Sequence, residues 1–431
     1  MWLPIATILV VSTTPEPGLT LAGAVQMALE SHEDARIALL RYEEARARRQ
    51  QVWARILPHA SLSGSMVYRP ASTLRASGIG DIDIDSRVMW TGRASLQSNL
   101  IDLGFVPDLL RANREVEAQG IATAESQRQL AFAVAQQFLL ALAAEQLLAA
   151  TTKRLDVANA TVEDAQQRVA AGIGRRSDVT RAELERSASQ LSVVEAARDV
   201  DLTRLGLADL LGSGHDTYAR ATLVTPQESF IETPASLEVL LVEGRESRSD
   251  LAYARLLVEA AQHAVWENLA GFLPTVGAMA DVTKQDDGFV DRDPEWSVAL
   301  FLSWRLYEGG RRLAEDNLRE ARLEIADLEA RKLGRTVERE VQSAHRRHQA
   351  SLAQLGEAGI QADLANRNLD ETRAMFQHGL TTALERIDAM ASAFEADAEL
   401  ARRQLEARLA ELEILASVGA WPLDSIRPVL Q

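Results

Sequence analysis

The sequence predicts a mostly helical protein with a small β part, built as two tandem repeats. Three observations carry that reading. Two very long helical patterns break at short turns 207 residues apart, Gly172-Ile173-Gly174 and Gly379-Leu380-Thr381. Two stretches switch from helical to alternating periodicity, at about 61–101 and about 275–306. The order of elements around the first turn recurs around the second.

In chain order, residues 1–17 read as a signal peptide, with an apolar run from Met1 to Val11 ahead of Thr13-Thr14-Pro15. Repeat 1 spans 18–211. Its helices run to about Leu57 and stop at Pro58, which cannot continue a helix. Leu62, Gly64, Met66 and Tyr68 then share one face of a strand, with Ser61, Ser63 and Ser65 on the other. A polar loop from Pro70 to about Met89 leads to a second strand, in which Ala94, Leu96, Ser98 and Leu100 alternate with Arg93, Ser95, Gln97 and Asn99. From Phe105 a helix runs to Ala171, roughly 100 Å at about 1.5 Å per residue. The tip at 172–177 breaks it, Ser177-Asp178 offers a cap, and a return helix reaches Leu211.

A linker follows at 212–235. Repeat 2 spans 236–421 and repeats the order. Val265-Trp266 before Leu273-Pro274 matches Val52-Trp53 before Leu57-Pro58, and Leu306-Tyr307-Glu308-Gly309-Gly310 matches Leu100-Ile101-Asp102-Leu103-Gly104. Its strands carry Val276, Ala278, Ala280 and Val282, then Val298, Leu300, Leu302 and Trp304, around the acidic loop Asp286–Pro294. Its long helix runs from Arg311 to His378, its tip lies at 379–383, and its return helix ends near Val418, before a tail at 422–431. The return helix shows a heptad of Leu384, Ala391, Ala398, Leu405 and Leu412, seconded by Ile387, Phe394, Ala401 and Leu415. Opposite it, Val341, Leu355, Ala362, Leu369 and Phe376 fall on one seven-residue grid, so a coiled-coil hairpin is expected.

The 46 basic and 62 acidic residues give a formal charge of −16, which argues against a nucleic-acid partner. The absence of cysteine excludes disulfides, thiolate metal sites, cysteine nucleophiles and a lipidated cysteine. No run of 18 apolar residues suggests a membrane-crossing helix. The strands are near the length that crosses a bilayer when tilted, and Tyr68, Trp90, Trp296 and Trp304 sit where interfacial aromatics belong. Four strands cannot close a transmembrane barrel, and open edges cannot remain in lipid. A barrel therefore demands an oligomer, a dimer giving eight strands or a trimer twelve. The alternative is a soluble periplasmic coiled-coil scaffold or adaptor-like protein, in which the sheet packs on the helices.

The twofold repeat, the Leu-Pro, strand, loop, strand, Leu-Tyr-Glu-Gly-Gly and long-helix order, and the paired glycine tips resemble the TolC family of outer-membrane efflux proteins. The resemblance covers about Leu19 to Val418. It implies a homotrimer whose strands form a 12-stranded transmembrane barrel in outer-membrane lipid, continued by a periplasmic tunnel of long helical hairpins (an α-barrel). It also implies a periplasmic adaptor at the tips, an inner-membrane transporter that supplies energy, and a passive exit duct for efflux or type I secretion. By position, the family's pore constriction falls on Ser177, Asp178, Glu385 and Asp388. Adaptor docking falls on Gly172, Ile173, Gly174, Arg175, Arg176, Gly379, Leu380 and Thr381. A latching arginine common in the second tip is replaced here by Thr381, so Arg175 or Arg176 is expected to pair with Glu385 or Asp388 of a neighbouring hairpin.

No nucleophile–base constellation or phosphate loop is visible, so neither an enzyme nor a cofactor is expected. His345 and His348, separated by Arg346 and Arg347, read as a solvated helix face.

Overall fold

The computed structural model describes residues 18–76, 80–84, 87–212, 221–226, 230–231, 236–286 and 293–423, without the side chains of 72–87. The expected signal peptide, most of the linker, loop residues 287–292 and most of the tail lie outside them. The chain divides into two compact units: residues up to Leu39 with Ala122–Asp250 and Leu333 onward, and Leu40–Ile121 with Leu251–Lys332.

The elements of repeat 1 are α1 (Leu21–Ser31), α2 (Glu33–Ala54), β1 (His59–Arg69), β2 (Ser72–Ala76), β3 (Gly80–Ile84), β4 (Arg87–Ile101), α3 (Phe105–Ala170) and α4 (Arg176–Leu211). Those of repeat 2 are α5 (Leu237–Ser247), α6 (Ser249–Ala270), β5 (Thr275–Asp286), β6 (Glu295–Ser303), α7 (Arg311–Gln377) and α8 (Ala383–Val418). The long helices thus end within a residue of where periodicity placed them. The loop expected at 70–89 is not all loop, because β2 and β3 pair within it as a separate antiparallel ribbon.

In the first unit, α3 contributes the core. Ala131, Val134, Ala135 and Phe138 are fully buried against Val25 and Ala28 of α1, Leu207 and Leu211 of α4, and Leu412 of α8. Each large side chain buried this way is worth about 1.5–3 kcal/mol. This explains why α3 has a segment long and apolar enough to cross a membrane, of which half is buried inside the protein. The start of α1 is capped by the Thr20 hydroxyl, which accepts from Gly23 N–H at 3.1 Å, and Ser236 does the same for α5. Part of the linker is structured: Leu19 exchanges backbone hydrogen bonds with Thr222 and Val224 at 2.8 and 3.0 Å.

The expected seam of α8 is corrected. Its buried residues include a line of Ala389, Ala393, Ala396, Ala407, Ala410 and Ile414 that the heptad did not contain. Asn366–Asp397 at 2.8 Å, Arg403–Gln354 at 3.0 Å and the Arg347–Glu413 pair close over that line. The heptad read from the sequence lies on the opposite side and faces α3. There Arg154 sits 4.4 Å over the Phe394 ring, Leu405 and Leu415 pack on the core, and Leu412 is fully buried. On α7 the expected grid holds, but its missing member at the seventh position after Val341 is His348, which is buried. His348 is therefore a seam residue and not part of a solvated face. Among the described residues no group of three or more potential metal ligands forms.

In the second unit the sheet order is β1-β4-β5-β6, all antiparallel. Register aligns Leu62, Ala94, Val282 and Trp296 in one row, and Ser61, Ser95, Asp281 and Ser297 in the next. Successive residues point to opposite faces, so one face is apolar and the other polar. The polar row is laced by hydroxyls: Ser61 Oγ to Ser95 Oγ at 2.7 Å, and Ser297 Oγ donating to Asp281 at 2.8 Å. The apolar face is not covered by the unit's helices. Leu62 is 84% exposed and Leu300 75%.

An acidic residue anchors each strand-to-helix junction. Asp102 accepts from Gly104 N–H at 3.1 Å and pairs with Arg55 at 3.0 Å. Arg55 also reaches Asp108 at 2.5 Å, and Arg111 ties Asp108 to Glu267. In repeat 2, Glu308 pairs with Arg312 at 2.8 Å and Arg311 at 2.9 Å, and those two hydrogen bonds hold its pKa at about 2 against an ordinary 4.5. A carboxylate with a lowered folded-state pKa contributes in full above its unfolded value and loses the contribution as pH falls through the folded one. The β6–α7 junction is thus expected to stay intact from pH 7 to about 4 and to loosen only toward about 2. Trp304, whose indole N–H donates to Phe272 O at 3.1 Å, reports on this by fluorescence. A transition near pH 4.5 would contradict the assignment.

Candidate functional site at the paired helical tips

The two tips are built alike. Gly172 N–H bonds to Val169 O and Ile173 N–H to Arg168 O, while Gly379 bonds to Phe376 O and Leu380 to Met375 O. This is the Schellman termination, which needs a left-handed residue, supplied by Gly172 at φ 73° and Gly379 at φ 71°. Usually the residue after that glycine folds its apolar side chain back onto the helix. Here Ile173 is 78% exposed and Leu380 76%, so both tips present an apolar side chain to solvent.

The returning helices differ in how they start. Thr382 caps α8: its hydroxyl accepts from Glu385 N–H at 3.3 Å, and the Glu385 carboxylate accepts from Thr382 N–H at 2.9 Å and from the Thr381 hydroxyl. The hydrogen bonds from Thr381 and then Thr382 hold Glu385 below the usual carboxylate range. In the first tip Arg175 occupies the cap position and its side chain has no acceptor to offer. Half the box survives, because Asp178 accepts from Arg175 N–H at 3.3 Å. Asp178 and Glu385 are therefore equivalent third-position carboxylates. Ser177 and Asp388 are exposed and not capping. Arg175 and Arg176 are exposed and make no ion pair within the chain among the described residues.

The hairpins meet about two helical turns behind the tips. Asp164 on α3 pairs with Arg168 at 3.1 Å and with Arg386 of α8 at 3.5 Å. Phe376 of α7 is buried between those arginines, its ring centroid 4.4 Å from the Arg168 guanidinium and 4.3 Å from that of Arg386. Burial first, then the positive charges of Arg168 and Arg373, pull the Arg386 pKa down, partly offset by Asp164. Its Nε is buried without an acceptor among the described residues. Sequence reading missed this cluster. The available signals were Phe376, an aromatic ending a grid otherwise of aliphatics and one histidine, and Arg386, the first arginine after the second tip.

These features define a class: a twofold-repeated subunit of long helical hairpins with a four-stranded sheet that leaves one apolar face uncovered. The chain belongs to the outer membrane efflux protein family, whose sequence model matches residues 24–213 and 240–420. It is 24% identical over 245 residues to the alkaline protease secretion protein AprF of Pseudomonas aeruginosa, covering 56% of this chain and 51% of AprF. It is 23% identical over 392 residues to the cation efflux system protein CusC of Escherichia coli O157:H7, covering 86% and 79%. The chain thus spans about half the length of AprF. A membrane protein from Pseudomonas aeruginosa superposes with a TM-score of 0.81 at 21% identity, covering 95% of this chain and 92% of that one. The outer membrane protein VceC of Vibrio cholerae superposes at 0.78 and 20% identity, covering 94% and 97%. At these identities the superpositions establish the fold.

Proposed function

We propose that the chain is an outer-membrane exit duct of a tripartite efflux or type I secretion system, working as a homotrimer. The carrying observation is the sheet: an apolar face with Leu62, Val298 and Leu300 open to the surroundings, a polar opposite face, and two unpaired edge strands, β1 and β6. In water such a face costs free energy. In lipid it is the expected outer wall, provided the edges pair with neighbouring copies. A soluble scaffold would have buried this face on its helices. Membrane fractionation separates the two readings, since a barrel requires detergent for extraction and a scaffold leaves in carbonate.

In this reading the tips form the periplasmic mouth. Ile173 and Leu380 are the apolar contacts for an adaptor, and an inner-membrane transporter supplies the energy. The duct itself does no covalent chemistry. The names of the relatives speak of cation efflux in one case and protease secretion in another, which supports a shared conduit over a shared cargo. Three copies turn Asp178, Glu385 and Asp388 into rings of carboxylates at the constriction, with Ser177 beside them, and such rings favour cations. Glu385 keeps its charge into acid because of its hydrogen bonds. Single-channel recordings in planar bilayers are expected to show cation selectivity that falls in Glu385→Ala and in Asp388→Ala. Unchanged selectivity in both variants removes the ring assignment, and no channel at all removes the duct.

A further inference from the structure

We infer that a pocket between α3, α4 and α8 binds an organic cation with an apolar body. The inference goes beyond the duct reading and does not depend on it, because every residue of the pocket belongs to one copy of the chain and to its first compact unit. Three apolar stripes converge there without closing. Leu140 and Leu147 come from α3, Leu202 from α4, and Phe394, Ala398 and Leu405 from α8. The seven-residue spacings of Leu140 with Leu147, and of Ala398 with Leu405, are those of a packed seam. A protein interior rarely leaves a void larger than a water molecule. Here the stripes surround a cavity of about 610 Å³, and Leu202 stays 58% exposed and Leu140 36%.

The pocket is closed at both ends, which decides what fits it. Toward the tips, Arg154 of α3 pairs with Glu185 of α4 at 2.7 Å and lies 4.4 Å over the Phe394 ring of α8, joining all three helices. Away from the tips, Gln137 donates to Thr203 O at 2.8 Å, and Phe138, Leu207 and Leu412 are fully buried. Between the two closures, Leu140 and Leu147 span about 10 Å of helix at about 1.5 Å per residue. A partner helix needs a groove that runs on along its axis. This cavity is bounded, and its volume falls within the roughly 300–1,000 Å³ of small-molecule sites. The rim sets the charge of the ligand. Asp199, Glu395 and Glu399 line it against one cation, Arg402. Glu399 is engaged by Arg403 at 2.6 Å and Asp199 by Arg198 at 2.6 Å. Glu395 is exposed and makes no ion pair within the chain among the described residues. An apolar floor beneath a free carboxylate matches a molecule with an apolar body and a positive charge, whereas an anion would meet like charge at the mouth.

Ethidium, an aromatic cation, is the probe, and fluorescein, an aromatic anion, is its counterpart. Fluorescence polarisation is followed as the purified full chain is titrated in at fixed detergent concentration, so that uptake into micelles stays constant. The parent is expected to bind ethidium saturably, at one site per chain, and to leave fluorescein free. Leu202→Arg sets a cation at the mouth and is expected to weaken ethidium binding by about tenfold or more. Leu202 is exposed, so the variant should keep the helical circular dichroism of the parent. Glu395→Gln is expected to weaken binding by about three- to fivefold, the range for one exposed charge pair. Glu357→Gln removes an exposed carboxylate of α7 outside the pocket and should bind ethidium like the parent. No saturable binding by the parent, or equal binding by the parent and Leu202→Arg, overturns the pocket. Loss in Leu202→Arg together with equal affinity for fluorescein, or with no change in Glu395→Gln, overturns the assignment to a cation.

Discussion

In the proposed trimeric duct, Arg386→Ala is expected to conduct several times more current than the parent in a planar bilayer, at unchanged trimer yield. Arg386 ties α8 to α3 near the tips by pairing with Asp164 at 3.5 Å, and it also stacks 4.3 Å from the Phe376 ring of α7. Removing it leaves Asp164 satisfied by Arg168 and leaves the Arg168 guanidinium of α3 on Phe376 of α7, so the fold keeps its charges balanced while the direct link from α8 to α3 through Asp164 is lost. An ion pair of this exposure contributes at most about 1 kcal/mol, and the stack of Arg386 on Phe376 lies within the second hairpin and adds nothing to the tie with the first. A loss of about 1 kcal/mol shifts a closed–open equilibrium by about fivefold, at about 1.4 kcal/mol per tenfold. Asp164→Asn should move conductance the same way, because it removes the same ion pair. Arg367, which is exposed on α7 and pairs with Asp363 at 2.5 Å, is the control, and its alanine variant should conduct like the parent. If Arg386→Ala conducts no better than Arg367→Ala, the cluster is not the latch.

The second large effect is on stability. Asp108→Ala is expected to cost about 3 kcal/mol, the range for breaking a buried ion pair by removing one partner. Asp108 is only 4% exposed and serves two arginines, Arg55 and Arg111, which lose their shared acceptor. Glu115, at the more exposed end of the same network, should cost at most about 1 kcal/mol as alanine. Trp53 packs edge-on against Phe105 with centroids 5.4 Å apart, two residues from Arg55, so its fluorescence follows unfolding at the junction. The paired replacement Arg55→Met with Asp108→Leu should recover part of the loss, since an apolar pair carries no desolvation cost. Equal midpoints for Asp108→Ala and Glu115→Ala would show that burial does not set the strength of this network.

Helix limits were legible because glycine, proline and period fix them locally, and the C-terminal ends of the four long helices were placed within a residue. The side to which a helix presents a stripe is a different matter. Helix α8 has two apolar stripes, and a hydrophobicity reading chooses Leu384, Phe394 and Leu405 over a row of alanines. Packing buried the row of alanines as well, beneath the polar links that α8 makes to α7, and gave the larger residues to α3. His348 was misread for a related reason: its neighbours Arg346 and Arg347 suggested water, while its place seven residues after Val341 put it in the seam. The tip cluster of Asp164, Arg168, Phe376 and Arg386 joins residues more than 200 positions apart, and no local pattern records such a meeting. The positions proposed for the constriction were visible as acidic residues near the tips. Their capping roles depend on where α4 and α8 begin.

The two apolar stripes of α8 have a mechanical consequence. Ala389, Ala393, Ala396, Ala407 and Ala410 have no rotamers to lose on burial, so this line is packed at little side-chain entropy cost. The opposite face is different, because Phe394 under Arg154 must unstack before α8 can leave α3, and Phe376 must come away from Arg168 before α7 can. Resistance between the hairpins therefore resides in stacked rings, so that a pull on the second tip must strip a guanidinium from each ring before the two tips separate.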